Sequence, residues 1–443
     1  MQPDFDIELY NKRLNELFSR FQSVQKVGFS SGAYKPGLAG MERLSALLGD
    51  PWKQYPCIHV AGTNGKGSVC SMLAAALAAG GDETPRIGLY TSPHLLDFRE
   101  RMKIVTTSGC EMISREEVWE FLNRYEDAFE GLSFFEITTG MAFWWFARMH
   151  VDAAVIETGL GGRLDSTNII VPVLSVVTSI GLDHCELLGS TRAAIAFEKA
   201  GIFKSGVPAV VGVRDEETAP VFERVAEGIG TPLVFASDVT EVAVSESELL
   251  EQMDLTGPCQ DINLHTVLVA LTQIWPKTQE NISAVAAALA EAGKRTGLRG
   301  RWQRICTRPE TICDIGHNPP ALKENFARLK AMQAAGRDLI IVYGIMADKD
   351  LSGIAPLMPA GARYILAAPD NQRAMPVETL RSRLAELRPD LETGDDCLHG
   401  SVAAAVRIAL NLAQDLPNPL IYIGGSTFIV AEAMPLFNEN TAI

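Results

Sequence analysis

The chain has 443 residues, 47% of them hydrophobic and 21% charged, which is enough for more than one core and excludes a disordered or fibrous protein. A formal net charge of −15 excludes broad nucleic-acid binding, which needs a basic face, but leaves room for a small anion in a locally basic pocket. The eight cysteines are scattered without a Cys-x-x-Cys pair, which excludes a zinc ribbon or a disulfide framework and fits reduced thiols in a cytoplasm.

The first residues, "MQPDFDIELYNKRL", are acidic and lack the basic start and apolar core of a signal peptide. Apolar runs such as "IIVPVLSVV" are too short and Pro-broken to cross a bilayer. The expectation is a cytoplasmic protein, monomeric, with neither membrane nor nucleic acid as a partner.

Residues 1–50 read as polar helix, ending at the Gly49-Asp50-Pro51 break. From Pro56 short β-rich runs ("CIHVAG", "RIGLYTS", "DAAVIETG", "LSVVTSIG", "PAVVGV") alternate with helical stretches at 68–79, 115–130, 136–149 and 190–201. That alternation predicts an α/β fold with a largely parallel sheet covered on both faces. A helix over 281–300 runs into the basic, Gly-rich "KRTGLRGRWQR", where a boundary divides a domain at 1–298 from a second at 299–443. There the alternation restarts with "TICDIG", a helix at 319–334, "LIIVYGI", "ARYILAAP", helices near 376–388 and 399–414, "LIYIGG" and a last helix.

In open parallel sheets, ligands sit beyond the carboxyl ends of the strands. The first predicted strand ends in Gly62-Thr63-Asn64-Gly65-Lys66-Gly67-Ser68, a glycine-rich turn that misses the usual phosphate-loop spacing because Gly67 separates Lys66 from Ser68. Opening a helix, it still offers backbone N–H groups and a lysine to a phosphate. The next strands end in Thr91-Ser92-Pro93-His94, in Glu157-Thr158-Gly159, and in Asp183-His184. Ser68, Ser92, Glu157 and His184 are candidate ligands for a cation that bridges phosphates. Magnesium suits them, because it accepts few protein ligands and keeps waters or substrate oxygens. The joint expectation is a magnesium-nucleotide site. Taken singly, Glu157 also reads as a surface carboxylate, His184 as a structural hydrogen-bonder and Lys199 as a solvated lysine on a helix face. In the second domain Asp314, His317 and Asn318 of "CDIGHNPPA" end a strand, and Asn318 also reads as a helix cap.

Together "HVAGTNGKGSV", "YTSPHL", "GLGGRLDSTN", "TSIGLDH", "EKAGIFK" and the Asp-x-Gly-His-Asn-Pro string resemble folylpolyglutamate synthase/dihydrofolate synthase, of the Mur-ligase superfamily. The resemblance runs from about residue 30 to the last strand, which is nearly the whole chain. It implies a P-loop ATPase domain followed by a smaller Rossmann-like α/β domain. It also implies ATP-dependent amide ligation: the γ-phosphoryl passes to a substrate carboxylate, and the amine of L-glutamate attacks the acyl phosphate. Carried over by position, Asn64, Gly65, Lys66, Gly67 and Ser68 match the ATP loop, and Ser68, Ser92, Glu157 and His184 the magnesium ligands. Lys199 matches a lysine carried as an N-carboxylated carbamate facing metal. Asn263 and Arg301 match nucleotide contacts, Asp314 and His317 serve ATP and the incoming glutamate, and Ser426 assists there. Residues 34–44 fall where the family's pterin-side loop lies. The acceptor is dihydropteroate, a reduced folate, or both.

Three positions depart from the family pattern: Ile315 stands inside the Asp-Gly-His order, Thr158 follows Glu157 where Val is commoner, and Arg299 stands where Pro is usual in a Pro-Gly-Arg run that ends at Arg301. Two other readings compete with this one. A peptidoglycan-precursor ligase would carry an extra domain of about 100 residues before the loop. A P-loop switch ATPase would hydrolyse ATP without an acceptor.

Overall fold

The computed structural model describes residues 5–21, 35–80, 85–242, 244–274, 281–393 and 400–438. The chain divides into two compact units, one of Met1–Asp254 with Gln260–Leu298 and the other of Leu255–Cys259 with Arg299–Ile443.

Unit 1 is built on eight strands: β1 (Cys57–Ala61), β2 (Ile87–Tyr90), β3 (Met102–Thr106), β4 (Gly109–Met112), β5 (Ala153–Glu157), β6 (Leu174–Val177), β7 (Ala209–Val211) and β8 (Leu233–Phe235). They lie in the order β4-β3-β2-β5-β1-β6-β7-β8. The run from β2 to β8 is parallel, as the alternation predicts. β3 and β4, however, add an antiparallel hairpin at one edge. The alternation of runs does not show that hairpin, because "RMKIVTTSGCEMI" carries charge inside its apolar run and turns on only Thr107 and Ser108.

The described helices of unit 1 that bear on the site are α1 (Ile7–Arg20), α2 (Ala39–Leu47), α3 (Lys66–Ala79), α4 (Arg115–Arg124), α5 (Phe134–Arg148), α6 (Arg192–Ala200) and α7 (Gln260–Ile274). α1 and α2 fall inside the helical reading of residues 1–50, and α2 starts within the pterin-side segment and runs past its end; Tyr34 lies outside the described residues. Helix α3 is buried on nearly all faces, and its alanines and small polar residues let neighbouring elements approach it closely. Helix α5 is equally apolar, and a capping box in which Ser133 and Glu136 bond each other's backbone N–H fixes its start. Its Phe and Trp side chains join those of α1 and α4 in one aromatic core.

Unit 2 holds β9 (Gln303–Thr307), β10 (Glu310–Asp314), β11 (Asp338–Tyr343), β12 (Arg363–Leu366) and β13 (Pro419–Gly424) in the order β12-β11-β13-β10-β9. Four of these are parallel, and β9 runs antiparallel at the edge. Helix α8 (Pro319–Ala334) spans the expected residues. Helix α9 (Thr427–Ala433) follows β13.

Candidate active site

Strand order explains why residues far apart in sequence gather. β2, β5, β1 and β6 are consecutive parallel neighbours, so their carboxyl ends stand side by side at about 5 Å spacing. Val60 pairs with Glu157, Tyr90 with Ile156, and Ala61 with Val177. Ser92, Glu157, the glycine-rich turn and the Asp183-His184 loop therefore share one edge.

The turn is clamped from the β6 side. Thr63 N donates to Ser179 O at 2.7 Å. Asn64 O accepts from Thr178 Oγ1 at 2.6 Å and from Ser179 Oγ at 3.0 Å. Thr63 Oγ1 donates to Gly181 O and accepts from Gly181 N, both at 3.1 Å. Gly65 ends the turn at φ 85°, a left-handed conformation, and a Cβ there would collide with Asn263 Oδ1. Sequence reading passes over this hydroxyl clamp, because "TSIG" is recognisable as a strand end but not as a partner of a loop 114 residues earlier.

Both candidate lysines reach the turn. Lys66 Nζ donates to Gly62 O at 3.0 Å and to Thr63 O at 3.3 Å. Lys199 Nζ donates to the same Gly62 O at 2.8 Å. The reading of Lys199 as a solvated helix-face lysine is overturned: it is 3% exposed. Burial, reinforced by the neighbouring Lys66 charge, lowers its amine from the ordinary 10.5 to about 7, against the opposing pull of Asp183 and Asp165. A helix-face pattern cannot show this, since α6 turns that face onto the loop.

Ser68 is 2% exposed, and its Oγ accepts from Gln260 Nε2 at 3.3 Å. Asn263 Nδ2 in turn donates to Gln260 Oε1 at 3.0 Å. Glu157, 3% exposed, accepts the backbone N–H of Ser92 on Oε2 at 3.1 Å. Burial raises the Cys70 thiol, with Glu157 adding to the rise and Lys66 opposing it. His184 sits at φ 53°, with Nε2 3.7 Å from Asp183 Oδ2.

The donors at this edge are hydroxyls, a carboxylate and an imidazole. Mostly hard oxygens, they fit a magnesium ion that keeps waters and phosphate oxygens for its remaining positions. Among the described residues no three of His, Cys, Asp and Glu converge into a metal cage.

Arg301, Asp314, His317 and Ser426 belong to unit 2. Asp314 is 8% exposed and its carboxylate is taken up by the chain itself. Oδ2 accepts from Trp302 N at 2.8 Å, while Oδ1 accepts from Gly316 N at 2.7 Å and Asn325 Nδ2 at 2.6 Å. It ties the turn beside Arg301 to the loop that carries His317. His317 Nδ1 lies 3.0 Å from Ile315 O and donates to it, so the neutral ring keeps its lone pair on Nε2. Asn318 caps α8 through Ala321 N, and Ser426 caps α9 through Ile429 N. Arg301 is half-buried, and its Nη1 donates to Arg299 O at 3.2 Å.

Residues 300–427 match the family described as Mur ligase, glutamate ligase domain. Over 411 residues the chain is 33% identical to the dihydrofolate synthase/folylpolyglutamate synthase of Escherichia coli, covering 90% of this chain and 91% of that protein. The chain belongs to the folylpolyglutamate synthase/dihydrofolate synthase family. It is also 32% identical to a probable bifunctional folylpolyglutamate synthase/dihydropteroate synthase of Haloferax volcanii, covering 96% of this chain but spanning only 50% of that relative. A solved structure of a bifunctional folylpolyglutamate synthase/dihydrofolate synthase with Mn, AMPPNP and L-glutamate bound superposes with a TM-score of 0.74 at 29% identity, covering 91% of this chain and 95% of that one. Among the described residues no helix is long and apolar enough to cross a membrane.

Proposed function

We propose that this protein uses ATP to join L-glutamate to the carboxylate of dihydropteroate and of a reduced folate, acting as both dihydrofolate synthase and folylpolyglutamate synthase. The observation that carries the reading is the clamped turn: Lys66 and Lys199 meet on one carbonyl of a glycine-rich strand-to-helix loop, with Glu157 and Ser92 on the neighbouring strand ends.

The α3 N-terminus and Lys66 hold the ATP phosphates, and fixing the γ-phosphoryl in line with the acceptor carboxylate does most of the catalytic work. Ser68, Ser92, Glu157 and His184 would hold magnesium, which neutralises phosphate charge during transfer. Lys199, with its amine lowered to about 7, is partly neutral, and that neutral amine would add to carbon dioxide and release a proton, giving a buried carbamate anion able to complement a metal held there. The acyl phosphate formed on the substrate is then attacked by the glutamate amine. Residues 1–298 bind nucleotide, with Asn263 at the loop, and Arg301, His317 and Ser426 serve nucleotide and glutamate binding. Asp314 acts through the loop it ties down. The protein works as a cytoplasmic monomer.

The test is ADP release by purified protein with dihydropteroate or tetrahydrofolate, each with and without L-glutamate. Release that needs both glutamate and an acceptor supports the reading. Equal release without either would identify a switch ATPase, and activity with one acceptor alone would remove the dual assignment.

A further inference from the structure

We infer that Gln260 is a positioning residue for Ser68, an inference that rests on the magnesium-nucleotide reading of the loop. Gln260 opens α7, is 6% exposed, and lies beside Asn263, which is 8% exposed. A side-chain amide has one accepting and one donating end, and here the two ends are assigned by their partners. Asn263 Nδ2 can only donate, so Gln260 presents its oxygen to it at 3.0 Å. The nitrogen is thereby turned to Ser68 Oγ at 3.3 Å, and Ser68 must accept. A directional relay runs from Asn263 through Gln260 to Ser68.

Two consequences follow for the loop. Asn263, with its nitrogen committed to Gln260, turns Oδ1 onto the backbone of Gly65, and only glycine fits opposite it. Ser68, with one lone pair already used, has a single lone pair and a single O–H left to offer. In a site 2% exposed, the relay removes the rotational freedom of the hydroxyl and leaves its remaining lone pair for the cation and its proton for a phosphate oxygen. The hydroxyls of Thr178 and Ser179 hold the loop from β6, while from α7 Gln260 bonds Ser68 and Asn263 packs its Oδ1 close against Gly65.

Gln260→Met keeps the volume and removes both ends of the relay. Gln260→Glu keeps an acceptor for Asn263 but cannot donate to Ser68. Two readouts are compared with the parent protein: the rise in melting temperature on adding Mg·ADP, and the Mg2+ concentration giving half-maximal ligation, with the KM for acceptor measured alongside. Both variants should melt as cooperatively as the parent without nucleotide. Both should lose most of the Mg·ADP stabilisation and need about tenfold more Mg2+, the worth of one buried hydrogen bond, while the acceptor KM stays unchanged. Unchanged Mg2+ midpoints in either variant would overturn the proposal, as would an equal rise in acceptor KM, which marks general damage. A parent protein that Mg·ADP does not stabilise would sink the nucleotide site and this inference with it.

Discussion

His59 makes the fold acid-sensitive in a way that can be measured. It lies in the middle of β1, is 0% exposed, and its Nε2 is 2.8 Å from Thr167 Oγ1. Thr167 Oγ1 is in turn 2.5 Å from Asp165 Oδ1, a carboxylate that also accepts from the backbone N–H of Thr167 and of Leu160. Such a carboxylate accepts the Thr167 proton, so Thr167 receives the proton of His59 Nε2 and the ring is the neutral Nε2–H form. Nδ1 has no partner among the described residues, and a second proton there would stand uncompensated in the core. Burial, aided by Lys204, accordingly lowers the imidazole from the ordinary 6.5 to about 3. Between those values the unfolded chain binds a proton that the folded chain refuses. The stabilisation is therefore complete above the unfolded value and is lost as pH falls towards the folded one. The loss relative to neutral pH is about 2 kcal/mol at about pH 5 and roughly 5 kcal/mol when complete. Urea unfolding of the parent and of His59→Gln at about pH 8 and about pH 5 isolates this group. The variant should be less stable at the higher pH, with the gap narrowing by about 2 kcal/mol at the lower. A gap that stays constant with pH would refute the reasoning.

Lys66→Ala should lower glutamate incorporation at least a hundredfold, of the order seen when one preorganised charge-stabilising group is removed, with little change in unfolding midpoint. Gly65→Ala should cost about 1–3 kcal/mol, because a side chain at this φ meets Asn263; it should also abolish thermal stabilisation by Mg·ADP. Asp314→Ala should destabilise unit 2 by about 2–4 kcal/mol through loss of charge-assisted hydrogen bonds, and hydrogen exchange at the Trp302 and Gly316 amides should quicken. Lys199→Arg should be inactive, being unable to form a carbamate, whereas Lys199→Ala should recover part of its activity on adding a short carboxylate; absence of any rescue would count against the carbamate.

The alternation of short apolar runs with helices, and the glycines, lysine and hydroxyls at the strand ends, follow from local chemistry. "HVAGTNGKGSV" tells of a strand, a turn and a helix because backbone conformation and apolar periodicity are near-neighbour properties. Helix α8, with Asn318 as cap and Pro319 next, is legible for the same reason. What the sequence leaves open are the quantities set by partners distant along the chain. The burial of Lys199 on Gly62 O joins residues 137 apart, and the bond from Gln260 to Ser68 joins residues 192 apart. The edge strands β3, β4 and β9 likewise take their direction from the neighbour they pair with. A sequence names the groups that could carry charge or donate a proton. Only the packed sheet decides how far water is kept from them, and so which lysine is buried and which side of an amide faces the hydroxyl.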